Sequence, residues 1–94
     1  MMSPVRNACN WYVYVLQNKG RSWYIGSTNN LRKRILQHNS EKNRSTKFGI
    51  PWKIIYCEIN INKQDARARE RYLKSGMGRK YLKNRLKFFF AKGF

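Results

Sequence analysis

Trp11-Tyr12-Val13-Tyr14-Val15-Leu16-Gln17, then Asn18-Lys19-Gly20-Arg21, then Trp23-Tyr24-Ile25-Gly26-Ser27 is the stretch that decides the architecture. β-branched and aromatic residues fill both arms and turn-forming residues fill the middle, so it predicts a β-hairpin. Downstream, Thr28 or Asn29 is placed to cap a helix in which Leu31 and Ile35 fall four apart. That helix should run to about Asn39, before the polar stretch Ser40 to Lys47. Trp52 to Ile59, after Pro51, reads as a third strand. Asn62 heads a second long helix with Asp65 in its favourable first turn, and Gly76 or Gly78 is expected to end it. A last helix of about Arg79 to Phe89 follows. The order β-β-α-β-α-α suits a small α+β domain, a three-stranded antiparallel sheet flanked by helices.

A chain of 94 residues suits one domain with a small core. The expected unit is 1–94, its core about 11–86 with short tails. Twenty-one Lys and Arg against four Asp and Glu give a formal charge of +17. Such a field attracts polyanions and gains from counterion release on phosphates, so nucleic acid is the first partner to consider. No apolar run approaches the ~20 residues needed to span a bilayer, so no membrane partner is expected. The first ten residues, with Pro4, Arg6 and Asn7, hold no apolar signal core, and a cytoplasmic location is the expectation. Cys9 and Cys57 stand far apart and outside any zinc-ligand spacing, which reads as two reduced thiols.

Helical periodicity separates the informative residues from the merely basic ones. Leu31, Arg34, Ile35 and His38 share one face of the first helix, while Arg32 and Lys33 point elsewhere. In the second, Ala66, Glu70 and Leu73 share a face, so Glu70 occupies a position where an apolar residue is expected. A carboxylate there needs a cation, a metal or good donors.

The block Tyr24-Ile25-Gly26, followed by Ser27-Thr28-Asn29-Asn30-Leu31-Arg32-Lys33-Arg34, with Tyr14 ten residues ahead, resembles the GIY-YIG nuclease domain. The likeness covers about Trp11 to Leu86. The first half of the signature departs: Tyr12-Val13-Tyr14 stands in place of Gly-Ile-Tyr, as in small stand-alone members, and the key tyrosine is kept. The resemblance makes Arg34 the catalytic arginine, His38 a position held by His or Tyr, and Glu70 the metal-binding glutamate. It aligns Asn84 with a polar residue of some members.

What the resemblance implies is an endonuclease that hydrolyses phosphodiesters by water, on DNA rather than RNA, with one Mg²⁺ or Mn²⁺ ion held by Glu70 and waters. Arg34 would bind the scissile phosphate, and Tyr14 would be the general base, its phenolate favoured by nearby cations and the metal. Tyr24 and His38 would orient water or phosphate, with His38 the rival base on intrinsic pKa. Arg32, Lys33, Arg79, Lys80, Lys83 and Asn84 are the expected nucleic-acid contacts, most of them to phosphate. Plainer readings stand beside these. Tyr14 and Tyr24 could be sheet aromatics, Arg34 a cation snorkelling from the core, His38 a helix C-terminal cation, and Glu70 a structural ion-pair partner. Gly26 could serve only for close backbone approach or a bulge. The alternative function is a non-catalytic basic module that binds structured RNA or ribosomes. The tail from Phe88-Phe89-Phe90 to Phe94 could pack on the core or form an exposed patch.

Overall fold

The computed structural model describes residues 10–40, 43 and 46–93; Cys9, the N-terminal residues ahead of Asn10 and Phe94 lie outside them. Strands β1 (Trp11–Gln17), β2 (Trp23–Thr28) and β3 (Lys53–Asn60) form one antiparallel sheet in the order β2-β1-β3. Helix α1 (Leu31–His38) follows β2, and a single 3₁₀ turn (Lys47–Gly49) precedes β3. Helices α2 (Lys63–Lys74), α3 (Gly76–Arg85) and α4 (Lys87–Ala91) complete the fold. This is the expected α+β arrangement. Among the described residues, no helix is long and apolar enough to cross a membrane.

Central β1 is covered on both faces, and its alternation sorts the core into two layers. Val13 and Val15 pack with Ile25, Ala66, Leu73 and Leu82, which brings α2 and α3 onto one face. Tyr14 and Leu16 pack with Trp52, Tyr24, Leu31 and Ile35, which brings α1 onto the other. A register shift between Val15 and Leu16 lets β3 carry one extra residue there.

Several boundaries differ from the sequence reading, each for a local reason. Asn30, rather than Thr28 or Asn29, caps α1, its side chain accepting from Lys33 N at 3.1 Å, because β2 runs on through Thr28. In the hairpin turn the left-handed residue is Arg21, at φ 66°, rather than Gly20. Asn62 caps α2 as expected, accepting from Gln64 N and Asp65 N. Ser75, not a glycine, ends α2, and the same residue caps α3, its hydroxyl accepting from Gly78 N at 3.2 Å. Gly76 and Gly78 therefore open a helix instead of closing one. A Cβ on Gly78 would overlap the Tyr72 carbonyl oxygen and Leu73 Cα, so its bareness lets α3 lie close on α2. The expected last helix is two, broken at Leu86.

The C-terminal aromatics divide. Phe90 stacks on Trp23 with ring centroids 5.7 Å apart, Phe89 meets Phe90 edge-on, and Phe88 faces outward. Cys57 is a free, exposed thiol on β3.

Candidate active site

The site is assembled around a notch in β2. Tyr14 of β1 lies directly across from Gly26 of β2, and a Cβ on Gly26 would sit 2.6 Å from Tyr14 Oη and 2.8 Å from Cζ. Gly26 is thus the close-approach residue of the two readings above; it ends no strand, since β2 continues to Thr28. Into the notch goes the Tyr14 ring, fully buried, beside the Tyr24 ring at a centroid distance of 6.4 Å. From α1, one layer above, the His38 ring comes down 4.4 Å from the Tyr24 centroid.

One arrangement of protons satisfies every contact in this cluster at once. In it Thr46 Oγ1 donates its single proton to the His38 carbonyl oxygen at 3.2 Å and accepts from His38 Nδ1, also at 3.2 Å. The proton of neutral His38 is therefore on Nδ1, and Nε2 presents a lone pair to Tyr14 Oη at 2.8 Å. Tyr14 donates to His38. Burial pushes the Tyr14 phenol up to about 12, the Arg34 charge opposing it only in part. The expectation was that nearby cations and the metal together favour the phenolate; of these, the protein's own cations are outweighed by desolvation in the two-sided core. Burial, helped by the Arg34 charge, lowers His38 to about 4, so the imidazole is neutral at pH 7. His38 is fully buried and neutral, which excludes a helix C-terminal cation.

Arg34 stands half-buried on the same face of α1, its Nη1 held by Gln37 Oε1 at 2.7 Å. Glu70 comes from the opposite layer. It stands on α2 between Ala66 and Leu73 at the helical spacing expected, with its side chain 17% exposed. Ser27, whose side chain alternates to the α2 face of β2, donates to Glu70 Oε1, and Lys74 donates to Oε2 at 2.7 Å. Burial raises the carboxyl's pKa, but these two donors more than offset it and hold it below the usual range. Because successive strand residues face opposite ways, Tyr14, Tyr24, Arg34 and His38 lie on one face of the sheet, while Ser27 reaches Glu70 on the other. The Glu70 charge nonetheless registers on Tyr14.

The residues expected to touch nucleic acid spread over two regions. Arg32 and Lys33 are exposed on α1, and Arg79, Lys80, Lys83 and Asn84 are exposed on α3. Asn84 has no hydrogen bond to the cluster among the described residues. Sequence reasoning assigned no role to Thr46 or Ser27. Strand alternation after Gly26 was the available signal for Ser27; Thr46 reaches His38 from a loop and had none. Asn39 was also missed. Its amide pairs with both the Trp52 N–H (2.6 Å) and the Trp52 carbonyl (3.0 Å), tying the end of α1 to the start of β3.

As for a metal, no group of three or more His, Cys, Asp or Glu gathers among the described residues, so an ion held by Glu70 would take the rest of its shell from water and phosphate. Glu70 fits: it is ionised, partly buried and aligned by Ser27, and the Lys74 on its other oxygen is 52% exposed and free to swing aside.

Two neighbouring strands carrying stacked tyrosines, a helix supplying Arg and His, and a glutamate on the other face of the sheet make up the candidate site. The GIY-YIG catalytic domain model matches residues 10–87, and the chain belongs to this family of nucleases, whose substrate is nucleic acid. Among its relatives are a UPF0213 protein of Clostridium perfringens, 45% identical over 67% of this chain and 69% of that one, and the UPF0213 protein YazA of Bacillus subtilis, 39% identical over 69% and 67%. A solution NMR structure of a UPF0213 protein from Bacillus halodurans is 30% identical, covering 78% of this chain and 81% of that one, with a TM-score of 0.49.

Proposed function

We propose that this chain is a divalent-metal-dependent endonuclease that hydrolyses phosphodiester bonds by water, with DNA as its substrate. The observation that carries the reading is the directed chain Tyr14 Oη–H to His38 Nε2 to Thr46, placed beside Arg34. A purely structural tyrosine in the middle strand of a small sheet needs neither a buried neutral imidazole nor a glycine notch to hold it.

Arg34 binds the scissile phosphate, and its planar fork offsets the charge that grows on the phosphoryl oxygens. Tyr14 and His38 are the acid–base pair: once substrate binding brings the attacking water through to the buried Tyr14 Oη, that oxygen takes the water's proton as its own proton passes to His38 Nε2. The water oxygen forms the new bond to phosphorus while the bond to the leaving oxygen breaks. A phosphate against Arg34 also neutralises the cation that helps depress His38, so the imidazole becomes more basic when substrate is bound. This gives the pair one joint role in place of two rival ones. Tyr24 packs on the His38 ring at a tilt of 54° and limits its rotation. Glu70 would hold the single Mg²⁺ or Mn²⁺, with Ser27 fixing its rotamer; when bound, the ion would supply Lewis-acid chemistry.

The second reading, a non-catalytic binding module, draws on one observation: Ser27 and Lys74 already satisfy Glu70 without a metal. The test is cleavage of labelled single-stranded, duplex and branched DNA and RNA with Mg²⁺ or Mn²⁺ against EDTA, for wild type, Glu70→Ala and Arg34→Ala. Metal-dependent cutting that both substitutions abolish, with folding intact, supports the endonuclease. Binding without cutting on every substrate, unchanged by Glu70→Ala, overturns it.

A further inference from the structure

Successive residues of β2 face opposite ways, so while Tyr24 joins the catalytic cluster, Trp23 points into the layer beneath α3 and α4. There it borders a cleft of about 560 Å³. Trp23 and Phe90, stacked on each other, form an aromatic wall, and Arg79 lies over the outer part of the indole at 5.0 Å. Arg21, Lys83 and Lys87 complete a ring of four cations about the space. A second cleft of about 390 Å³ adjoins it at Gln17 and Arg21 and carries the basic lining past Lys19 to Lys53.

Two further facts define what this cleft accepts. Among the described residues the ion pairs are Arg69–Glu58 and Lys74–Glu70, so no carboxylate neutralises the cleft's cations. Gln17, only 8% exposed, lines both spaces; its Oε1 accepts from Trp23 Nε1 at 2.9 Å, which leaves its amide N–H groups as donors at the floor. Polar groups that are donors or cations, set beside an aromatic wall, fit an anionic, acceptor-rich ligand such as the phosphodiester backbone. Cations interleaved with aromatics in a concave groove is the pattern that tracks a single strand.

We propose that this cleft is a second nucleic-acid subsite, across β2 from the catalytic cluster, which holds a single-stranded segment of the substrate by its phosphates. It deepens the nuclease reading by naming a substrate class: nucleic acid with an unpaired strand beside the cut, long enough to pass round the β2 edge. Its test does not depend on catalysis.

Fluorescence anisotropy in EDTA measures binding of a labelled single-stranded oligonucleotide and of a blunt duplex across a salt series. Wild type is compared with Arg79→Gln/Lys83→Gln/Lys87→Gln and with a control of equal charge change elsewhere, Lys47→Gln/Lys63→Gln/Arg71→Gln, all checked for folding by circular dichroism. The cleft variant should lose about tenfold or more in single-strand affinity, and its log–log salt slope should fall by about 2 from three lost phosphate contacts. The control and the duplex should change much less. Equal losses in both triple variants, or equal losses on single strand and duplex, would overturn the proposal and leave a diffuse basic surface. Failure of cleavage in the nuclease assay, with this binding pattern intact, would sink the catalytic reading alone.

Discussion

Gly26→Ala tests whether the notch in β2 exists to seat Tyr14. The added methyl would lie 2.6 Å from Tyr14 Oη, 2.8 Å from Cζ and 3.2 Å from Tyr24 Cε1. Tyr14 is fully buried between α1 and the neighbouring strands, and its hydroxyl is held by His38 at 2.8 Å. It can yield to the methyl only by leaving that hydrogen bond. Overpacking of this kind costs about 2 kcal/mol, which for a 94-residue chain lowers Tm by roughly 10 °C. A displacement of about 1 Å at a reacting group lowers the rate by roughly 100-fold, so cleavage should fall far more than the stability loss accounts for. The assay is thermal denaturation and single-turnover cleavage for Gly26→Ala, Tyr14→Phe and the double variant. Removing the hydroxyl takes away the nearest clash, so Gly26→Ala should cost about 1 kcal/mol less stability in the Tyr14→Phe background. An identical stability cost in both backgrounds, or a Gly26→Ala protein that cuts within twofold of wild type, would refute the reasoning.

Acid should expose the buried imidazole. His38 is lowered from 6.5 to about 4, so between those values the unfolded chain holds a proton that the folded chain lacks. Its contribution to stability is complete above pH 6.5 and is lost as pH falls through that window, by about 3 kcal/mol; urea denaturation at pH 7 and pH 4 should show the loss, and His38→Gln should flatten it. Arg69 grips Glu58 with two bonds of 2.9 Å and lies over Tyr81, tying α2 to β3 and α3. The pair is partly solvent-screened, so Arg69→Ala should cost about 1–2 kcal/mol in chemical denaturation, with kcat within twofold of wild type. Gly78→Ala should cost about 3 kcal/mol by the same measurement, because the atoms in its way are backbone and α3 must lift off α2.

Much of the fold was open to reading because local chemistry and tertiary demand agree. The β-branched arms of the hairpin, the Asn62 cap and the apolar spacing of α1 and α2 each act within a few residues, and each stands where it was expected. The ends of elements were less legible. Gly76 and Gly78 look like helix terminators by composition, but contact with α2 decides that Gly78 is a packing residue inside α3. The candidate site divides the same way. Tyr14, Tyr24, Arg34, His38 and Glu70 could be picked out from spacing and from the resemblance, since strand and helix periods place them on definite faces.

What the amino-acid order could not convey is how those faces meet. Burial on both sides of β1 makes Tyr14 a proton donor where charge alone argued for a phenolate, because desolvation depends on what the third dimension stacks over a residue. Thr46 sets the tautomer of His38 from a loop eight residues away, and Ser27 reaches Glu70 across forty-three. The basic cleft behind Trp23 likewise draws Arg21 from the hairpin turn and Arg79, Lys83 and Lys87 from two helices. Composition determined the charge that attracts polyanions, strand and helix periods determined the α+β order of elements, and the resemblance singled out the tyrosine, arginine and glutamate candidates. Tertiary packing alone decided which protons those residues hold, since pKa and hydrogen-bond direction follow from neighbours in space.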